Sequence, residues 1–274
     1  MILFLVIFTM LCQYCEQGLR ILGGRDAFKD EFPYVVRLEE KLLQSATEDK
    51  IIHFRQICTG SALTSVWVLS AAHCTDQDFK RSLRKNKAFV RYNSHFPNIT
   101  GFVTPVTKYI MQPGYIELRG TVKTADVVLI HCVKIKISHF GRVNAVDFKS
   151  LMGHEALSLG FGSTNASSFE KPLQVLKGML SKCTDKELVD MGYPIICLSR
   201  PCVLTATICG GDSGGPVVHE SGIVGVHSSS FDDCDEHTEH LELTPGSSAA
   251  IITPVSPVID WITNIIMSKN EDDS

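Results

Sequence analysis

Short runs of β-branched and aromatic residues, separated by Gly, Pro, Asn, Asp and Ser, make up most of the chain and show no long helical periodicity. Such runs are typical of strands joined by turns. The pattern predicts an all-β fold, in which a soft boundary near 138–146 would separate two barrels lying side by side. Residues 39–55 are charged and are predicted to form a long surface loop. The candidate strands are 34–38, 66–70, 88–92, 126–133, 156–160, 173–180, 215–218 and 222–227.

One helix is predicted near the C-terminus. Ser256 suits the N-cap and Pro257 the first helical position. An apolar stripe at helical spacing follows, and it would pack on the barrel surface. The stripe comprises Val258, Ile259, Trp261, Ile262, Ile265 and Ile266.

The apolar run 2–11 is shorter than the roughly 20 residues that a membrane-spanning helix needs, and it has the length of a signal-peptide core. We therefore predict a signal peptide over residues 1–15, with its end left open, and a secreted, extracellular protein without a membrane partner. Eight of the 10 cysteines follow the signal, and sequons occur at Asn98 and Asn165. Both features fit secretion, because disulfides and N-glycans form in that compartment.

The net charge of −4 gives no support for nucleic-acid binding. The acidic stretch 232–242, with His237 and His240, is interpreted as an exposed loop, since its spacing imposes no ligand geometry. No metal or other cofactor is expected. A basic cluster is interpreted as a solvated surface. It comprises Lys80, Arg81, Arg84, Lys85, Lys87 and Arg91.

Ser213 lies among four glycines in the segment 209–216. A serine that attacks a carbonyl needs backbone N–H groups that point at the developing oxyanion, and glycines permit the conformations and the close approach of substrate that this requires. We expect the N–H groups of Gly211 and Ser213 to form this oxyanion hole. A glycine-rich turn without chemistry would not require Asp-Ser at its centre.

A serine hydroxyl is a poor nucleophile unless a base takes its proton, and that base must be oriented by a carboxylate. His73 is a candidate base because it ends a buried-strand pattern, next to a cysteine that could fix its loop. Asp126 is a candidate carboxylate because it opens the apolar run 127–130, which would hold it rigid and partly desolvated.

Four segments resemble motifs of the trypsin and chymotrypsin family of serine proteases, in the family's order and over nearly the whole chain after the signal. They are Ile-Leu-Gly-Gly at 21–24, Ala-Ala-His-Cys at 71–74, Asp-Val-Val-Leu at 126–129 and Gly-Asp-Ser-Gly-Gly-Pro at 211–216. The resemblance implies peptide-bond hydrolysis by a triad of Ser213, His73 and Asp126.

The same resemblance implies a fold and its boundaries. A peptidase domain at 21–274 would contain two six-stranded antiparallel Greek-key barrels, with the active site between them and a C-terminal α-helix. The N-terminal barrel would occupy about 21–140, and the C-terminal barrel and helix about 141–274.

A zymogen is also implied, because family precursors are cut before a sequence like that at Ile21. Residues 16–20, ending in Arg20, would be a short propeptide. The freed Ile21 ammonium would pair with Asp212 and order the oxyanion hole and the specificity pocket. The implied partners are protein or peptide substrates, an activating trypsin-like protease and protein protease inhibitors, and a monomer is expected.

Three disulfides are implied by the family. They join Cys58 to Cys74, Cys183 to Cys197 and Cys209 to Cys234. Cys132 and Cys202 are left over, and they could form a bridge of their own, a buried thiol or an exchange of partners.

Specificity in the family depends largely on the position six residues before the nucleophile, here Thr207, where trypsin-like enzymes carry aspartate. With Ile208 beside it, an apolar or small P1 residue is expected rather than Lys or Arg. The pocket wall, Ser-Trp-Gly in the family, is assigned to 225–227, where His227 would narrow the mouth. Two registers fit the last strand, and in the second of them Ala250 would line the pocket.

A non-catalytic secreted homologue, acting as a binding or regulatory protein, is the alternative function. Such relatives typically replace a triad residue, whereas this chain keeps all three residues, together with Asp212 and Arg20. The altered wall at 225–227 is the feature that favours this alternative.

Overall fold

The computed structural model describes residues 24–46, 49–94, 101–118, 122–162, 172–183, 193–200, 208–230 and 248–268. The predicted signal peptide, the propeptide, Arg20, Ile21 and both sequons lie outside these ranges. Among the described residues, no helix is long and apolar enough to cross a membrane.

The described strands of the N-terminal half are β1 (Arg25–Asp26), β2 (Val35–Ala46), β3 (Asp49–Ala62), β4 (Trp67–Ser70), β5 (Ala88–Tyr92), β6 (Phe102–Met111), β7 (Ile116–Leu118), β8 (Val122–Thr124) and β9 (Val128–Cys132). Six of them close into an antiparallel barrel in the order β2-β3-β4-β9-β6-β5. The interior is apolar because alternate strand residues point inward, as in β5, whose first, third and fifth residues are buried.

A second antiparallel barrel consists of the strands β10 (Glu155–Gly160), β11 (Gln174–Ser181), β12 (Ile196–Ser199), β13 (Pro216–His219), β14 (Gly222–Ser229) and β15 (Ser248–Pro254). It closes through the pairings β10–β11, β11–β12, β12–β15, β15–β14, β14–β13 and β13–β10. The prediction of two six-stranded barrels is confirmed. Strand β1 pairs with β11, so residues 25–26 belong to the second barrel although they precede the first in sequence.

The predicted C-terminal helix is present as a 3₁₀ turn (Ser256–Val258) followed by α2 (Ile259–Met267). Its apolar face packs against the core cluster of the first barrel, through Ile262 and Trp261. The helix therefore returns to the first barrel after the second is complete. The prediction that Ser256 caps this helix is wrong. Its hydroxyl accepts the backbone N–H of Phe148 instead.

The charged stretch 39–55 is not a loop, and that prediction is wrong. It forms most of a hairpin of β2 and β3, which pair residue by residue from Val35 opposite Ser61 to Ala46 opposite Asp49. Both glutamates at the start of this stretch are paired: Arg91 donates to both carboxylate oxygens of Glu39 at 2.8 Å, and Arg55 donates to Glu40 at 2.6 Å.

A short helix, α1 (Gln77–Arg84), carries part of the basic cluster and was not predicted. Asp76 caps it by accepting the backbone N–H of Phe79 at 2.8 Å. At eight residues the helix is shorter than the about 10–12 residues that distinguish a helical pattern from a strand pattern. Arg81 on this helix is paired with Asp78, and both side chains are 61% exposed.

Candidate active site

The candidate site lies between the two barrels. His73 is in a 3₁₀ turn directly after β4, Asp126 lies two residues before β9, and Ser213 is in the loop before β13. The nucleophile loop of the second barrel is tied to β3 of the first, because Thr59 donates its backbone N–H to the Ser213 carbonyl at 2.9 Å. The nucleophile loop and the turn that carries His73, which come from distant segments, therefore lie on elements of the two barrels that contact each other.

Two hydrogen bonds join His73 to Asp126. The carboxylate accepts the ring Nδ1–H at 2.7 Å and the backbone N–H of His73 at 2.9 Å. A carboxylate can only accept, so we infer that Nδ1 carries the proton and that Nε2 keeps its lone pair. The imidazole is 18% exposed, whereas the carboxylate is fully buried. His73 is thus held in the tautomer that a general base needs.

Ser228, which sequence reasoning missed, completes the environment of Asp126. Its hydroxyl donates to Asp126 Oδ2 at 2.6 Å, and both residues are buried. Burial alone would raise the pKa of Asp126, but the hydrogen bonds and charge of His73 and the Ser228 bond outweigh it and hold that pKa below its usual value. The available signal was a run of three serines at the end of the apolar strand β14.

The residue before Asp126 has an unusual backbone conformation. Ala125 has φ of 44°, in the left-handed region that residues with a Cβ rarely adopt. The turn closes with a hydrogen bond of 2.7 Å from the Val127 N–H to the Ala125 carbonyl. Such conformations persist where surrounding structure enforces them, and they cluster at functional sites.

The Cys58–Cys74 disulfide fixes the histidine turn to β3, as the family resemblance implied. Cys58, His73 and Cys74 lie close enough together to suggest a metal site. A disulfide, however, leaves no thiolate to bind a metal. This cluster therefore serves to position the imidazole.

The nucleophile loop needs glycine at two positions. Gly211 has φ of 97° and Gly214 has φ of 80°. A Cβ on Gly214 would also lie 2.0 Å from the Ser70 hydroxyl. In the part of the chain that the structure describes, the backbone N–H groups of Gly211 and Ser213 donate no hydrogen bond. No acceptor of the described residues therefore occupies these two N–H groups, and their use as an oxyanion hole stays a prediction.

The Ser213 hydroxyl makes no hydrogen bond to His73 among the described residues. Catalytic hydrogen bonds are often long without substrate and shorten in the complex. The loop itself is anchored, because the Gly211 carbonyl accepts the Thr59 hydroxyl at 2.8 Å and the Gln56 amide at 3.2 Å.

Asp212 occupies a closed socket behind the nucleophile. It is fully buried and accepts the backbone N–H groups of Cys209 at 2.9 Å and Gly162 at 2.6 Å. A Cβ on Gly160 or Gly162 would lie within 2.4 Å of the carboxylate, so both glycines are required. Burial raises the pKa of Asp212 to about 6. Within the described ranges this carboxylate has no cationic partner, and Ile21 lies outside them.

The pocket residues are placed only in part. Ile208 and Ala250 are both buried in the core of the second barrel. In the last strand Thr253 lies opposite Val226, and the choice between the two pocket registers stays a prediction because Pro245 and Gly246 lie outside the described residues. Thr207 lies outside the described residues.

The role expected of His227 is corrected. Its ring has no exposed surface, its Nε2 lies 2.8 Å from the Ser158 hydroxyl, and burial lowers its pKa to about 3. A ring in this position does not narrow a solvent-open mouth. Ser228, the residue of β14 whose hydroxyl contacts Asp126, lies just outside the wall assigned to 225–227, and that assignment stays a prediction.

The remaining cysteines are partly described. Cys183 is bonded to Cys197, and Cys209 is also disulfide-bonded, while its expected partner Cys234 lies outside the described residues. Cys132 is a buried free thiol, and burial raises its pKa to about 12. Of the alternatives left open for this residue, the structure therefore shows the buried thiol. Cys202 lies outside the described residues.

Comparisons with known proteins agree with this geometry. Residues 21–262 match the family model described as Trypsin. The chain is 27% identical over 268 residues to kallikrein 1-related peptidase b8 of Mus musculus, covering 92% of this chain and 91% of that one. It is 26% identical over 275 residues to chymotrypsin-C of Rattus norvegicus, with coverages of 90% and 89%. The structure of neuropsin, a serine protease of mouse brain, matches with a TM-score of 0.64 at 21% identity. The match covers 89% of this chain and 98% of that one, and it supports the fold alone.

Proposed function

The chain belongs to the trypsin family of serine proteases, and from that premise we propose that it is a secreted serine endopeptidase, made as a zymogen and cleaved after Arg20. The observation that carries the proposal is the network of His73, Asp126 and Ser228 beside a nucleophile loop with two free N–H groups. Two sequons, the disulfides and the apolar N-terminus support secretion and glycosylation.

In the proposed reaction, His73 Nε2 takes the Ser213 hydroxyl proton as Oγ attacks the substrate carbonyl. The N–H groups of Gly211 and Ser213 bind the oxyanion, and Asp126 stabilises the imidazolium. His73 then returns its proton to the leaving amine as the C–N bond breaks. Water, deprotonated by His73, cleaves the acyl-enzyme and regenerates the serine.

Activation would act through Asp212. Without a cation, this buried carboxylate has a raised pKa. An ammonium freed at Ile21 would supply the missing charge and stabilise the ionised form, one residue from the nucleophile. Because the socket is formed by Gly162 and Cys209, this pairing would order the loops that carry the oxyanion hole.

For the P1 residue we propose an apolar or small side chain. Ile208 and Ala250 are buried apolar neighbours in one core cluster, and neither of them supplies a charge to hold Lys or Arg. Thr207, at the position that is aspartate in trypsin-like enzymes, also lacks that charge.

The direct test is to cleave the purified zymogen after Arg20, verify Ile21 as the new N-terminus, and add a fluorophosphonate probe and a peptide library. We expect labelling at Ser213 and turnover, both dependent on cleavage. The Ser213→Ala variant should lose turnover by roughly a million-fold. Correct cleavage with neither labelling nor turnover would instead favour the non-catalytic binding protein.

A further inference from the structure

Two histidines lie side by side on the second barrel, apart from the catalytic cleft. His154 directly precedes β10, and His219 is the last residue of β13. Extending by one pair the antiparallel register that places Leu157 opposite Val218 puts His219 opposite Ala156, which lies two residues after His154. The two imidazoles therefore belong to one face of the sheet, and they line a groove of about 560 Å³.

The two rings present nitrogens to each other at a defined distance. His154 Nδ1 and His219 Nε2 are 3.3 Å apart, with the ring planes inclined at 61°. Two nitrogens bound to a tetrahedral Zn²⁺ at about 2.0–2.1 Å are separated by about 3.3–3.4 Å. We propose that His154 and His219 form a surface site for a divalent transition-metal ion such as Zn²⁺, with water completing the coordination.

A neighbouring hydroxyl can fix the tautomer that binding needs. His219 Nδ1 lies 2.7 Å from Ser221 Oγ, which also accepts the side-chain amide of Asn144. When the hydroxyl accepts the Nδ1–H, Nε2 keeps its lone pair for the metal. The Ser221 backbone N–H, 3.3 Å from Nδ1, can instead donate to His219 when the proton is on Nε2. Both tautomers of His219 thus have a hydrogen-bond partner, and metal binding would select the one protonated at Nδ1.

The electrostatic surroundings do not oppose a cation. Glu155 and Glu220 also line the groove. The single lysine among the groove residues, Lys177, is paired with Glu155 at 2.7 Å. Imidazole is a good ligand for Zn²⁺ and Cu²⁺, whereas Mg²⁺ and Ca²⁺ prefer oxygen, so the latter two ions should not compete.

A bound ion would connect two strands that reach the active site at their other ends. Strand β10 leads to the glycines of the Asp212 socket, and β13 follows directly from the nucleophile loop. Any ligand that binds only the folded chain raises its stability. Zn²⁺ should therefore raise the unfolding temperature of the protein through this site.

The test is Zn²⁺ titration of the full chain by calorimetry in a His73→Ala background, so that the triad imidazole does not contribute. We expect His154→Ala and His219→Ala each to weaken one Zn²⁺ site by at least about tenfold, and Ser221→Ala to weaken it by about tenfold. His53→Ala, which removes an exposed histidine on β3, is the matched control and should bind like the parent.

A measurement that needs no variant at this site is the long-range ¹H–¹⁵N correlation spectrum of the histidine rings. Zn²⁺ should shift the ¹⁵N resonances of His154 Nδ1 and His219 Nε2, while the ¹⁵N resonance of His219 Nδ1 should remain that of a protonated nitrogen. No Zn²⁺ binding by the parent, unchanged affinity in both histidine variants, or ring signals of His154 and His219 that do not move would each overturn the proposal. The outcome is independent of whether the protein is a protease, because catalysis is not measured.

Discussion

Asp126 and Asp212 are two fully buried carboxylates on either side of the same nucleophile, yet their environments differ. Asp126 is bonded to His73 and Ser228, and its pKa lies below the usual value. Asp212 accepts only backbone N–H groups among the described residues, and its pKa is raised to about 6. Asp126 thus has a cationic or polar side chain on each side within the folded barrels, whereas Asp212 is the carboxylate that our activation proposal pairs with the Ile21 ammonium.

The largest effect expected from this comparison follows Asp126→Asn. The amide would still pack, but it can donate a hydrogen bond to Nδ1, which favours the wrong tautomer of His73. We expect kcat of the cleaved enzyme to fall about ten-thousand-fold. Steady-state kinetics measures the loss. Asp78→Asn, an exposed carboxylate on α1, is the control and should keep full activity.

Asp212→Asn should have the next largest effect, and only on activation. Removing one partner of a buried ion pair costs about 3–5 kcal/mol, so the cleaved variant should lose activity by roughly a hundred- to several-thousand-fold. Cleavage after Arg20 should proceed at the normal rate, as checked by N-terminal sequencing. If the cleaved variant were as active as its parent, Asp212 would not be the switch.

The pH dependence of stability should separate the two carboxylates. The pKa of Asp212 is about 6 in the folded, uncleaved chain and about 3.9 in the unfolded chain. Between these two pH values the folded state therefore binds more protons than the unfolded state. Zymogen stability should therefore fall by about 3 kcal/mol as pH rises from about 4 to 6. Urea unfolding at a series of pH values measures this, and the Asp212→Asn zymogen should not show it.

Asp126 should give the opposite sign. Its folded pKa is depressed, so its stabilising contribution is present above about pH 4 and is lost as pH falls. The stability difference between the parent and Asp126→Asn should therefore shrink on acidification. A difference that grew instead would contradict the assigned environment of this carboxylate.

The smallest effect belongs to Ser228→Ala, which removes one hydrogen bond from Asp126 and leaves the His73 bonds in place. A hydrogen bond to a charged group contributes about 1.5–3 kcal/mol, so kcat should fall about ten- to hundred-fold. The Ser229→Ala variant, at the neighbouring position, is the comparison. Equal effects at both positions would argue that the serine run acts as a whole and that the bond to Asp126 has no special role.

Much of the barrel architecture was predictable, but the errors are instructive. The strand at 88–92 was predicted with its observed bounds from its apolar and aromatic run, and its residues alternate between buried and partly exposed. The hairpin over 39–55 was missed because its charges resemble those of a loop. Glu39 is nonetheless buried, because Arg91 from the adjacent strand β5 neutralises it, and that pairing has a sequence separation too large for any local pattern to reveal.

The candidate site, like the barrels, was predicted from the sequence only in part. Ser213, His73 and Asp126 could be proposed because a nucleophile, a base and a carboxylate each carry a local signature, and because the motif resemblance joined them. The prediction that His227 narrows the pocket mouth was wrong, since a strand pattern alone does not fix which residue faces a partner. His227 is consequently a buried core residue, bonded to Ser158.

By itself, the sequence determined the residue types that chemistry requires and the periodicity that makes strands, because both are local properties of the chain. Only the tertiary structure decided that Ser228 contacts Asp126, that Gly160 and Gly162 form the socket of Asp212, and that His154 faces His219. Each of these contacts joins segments dozens of residues apart, and their meeting depends on strand register and barrel closure. Those are set by the packing of the whole fold and not by any single stretch of sequence.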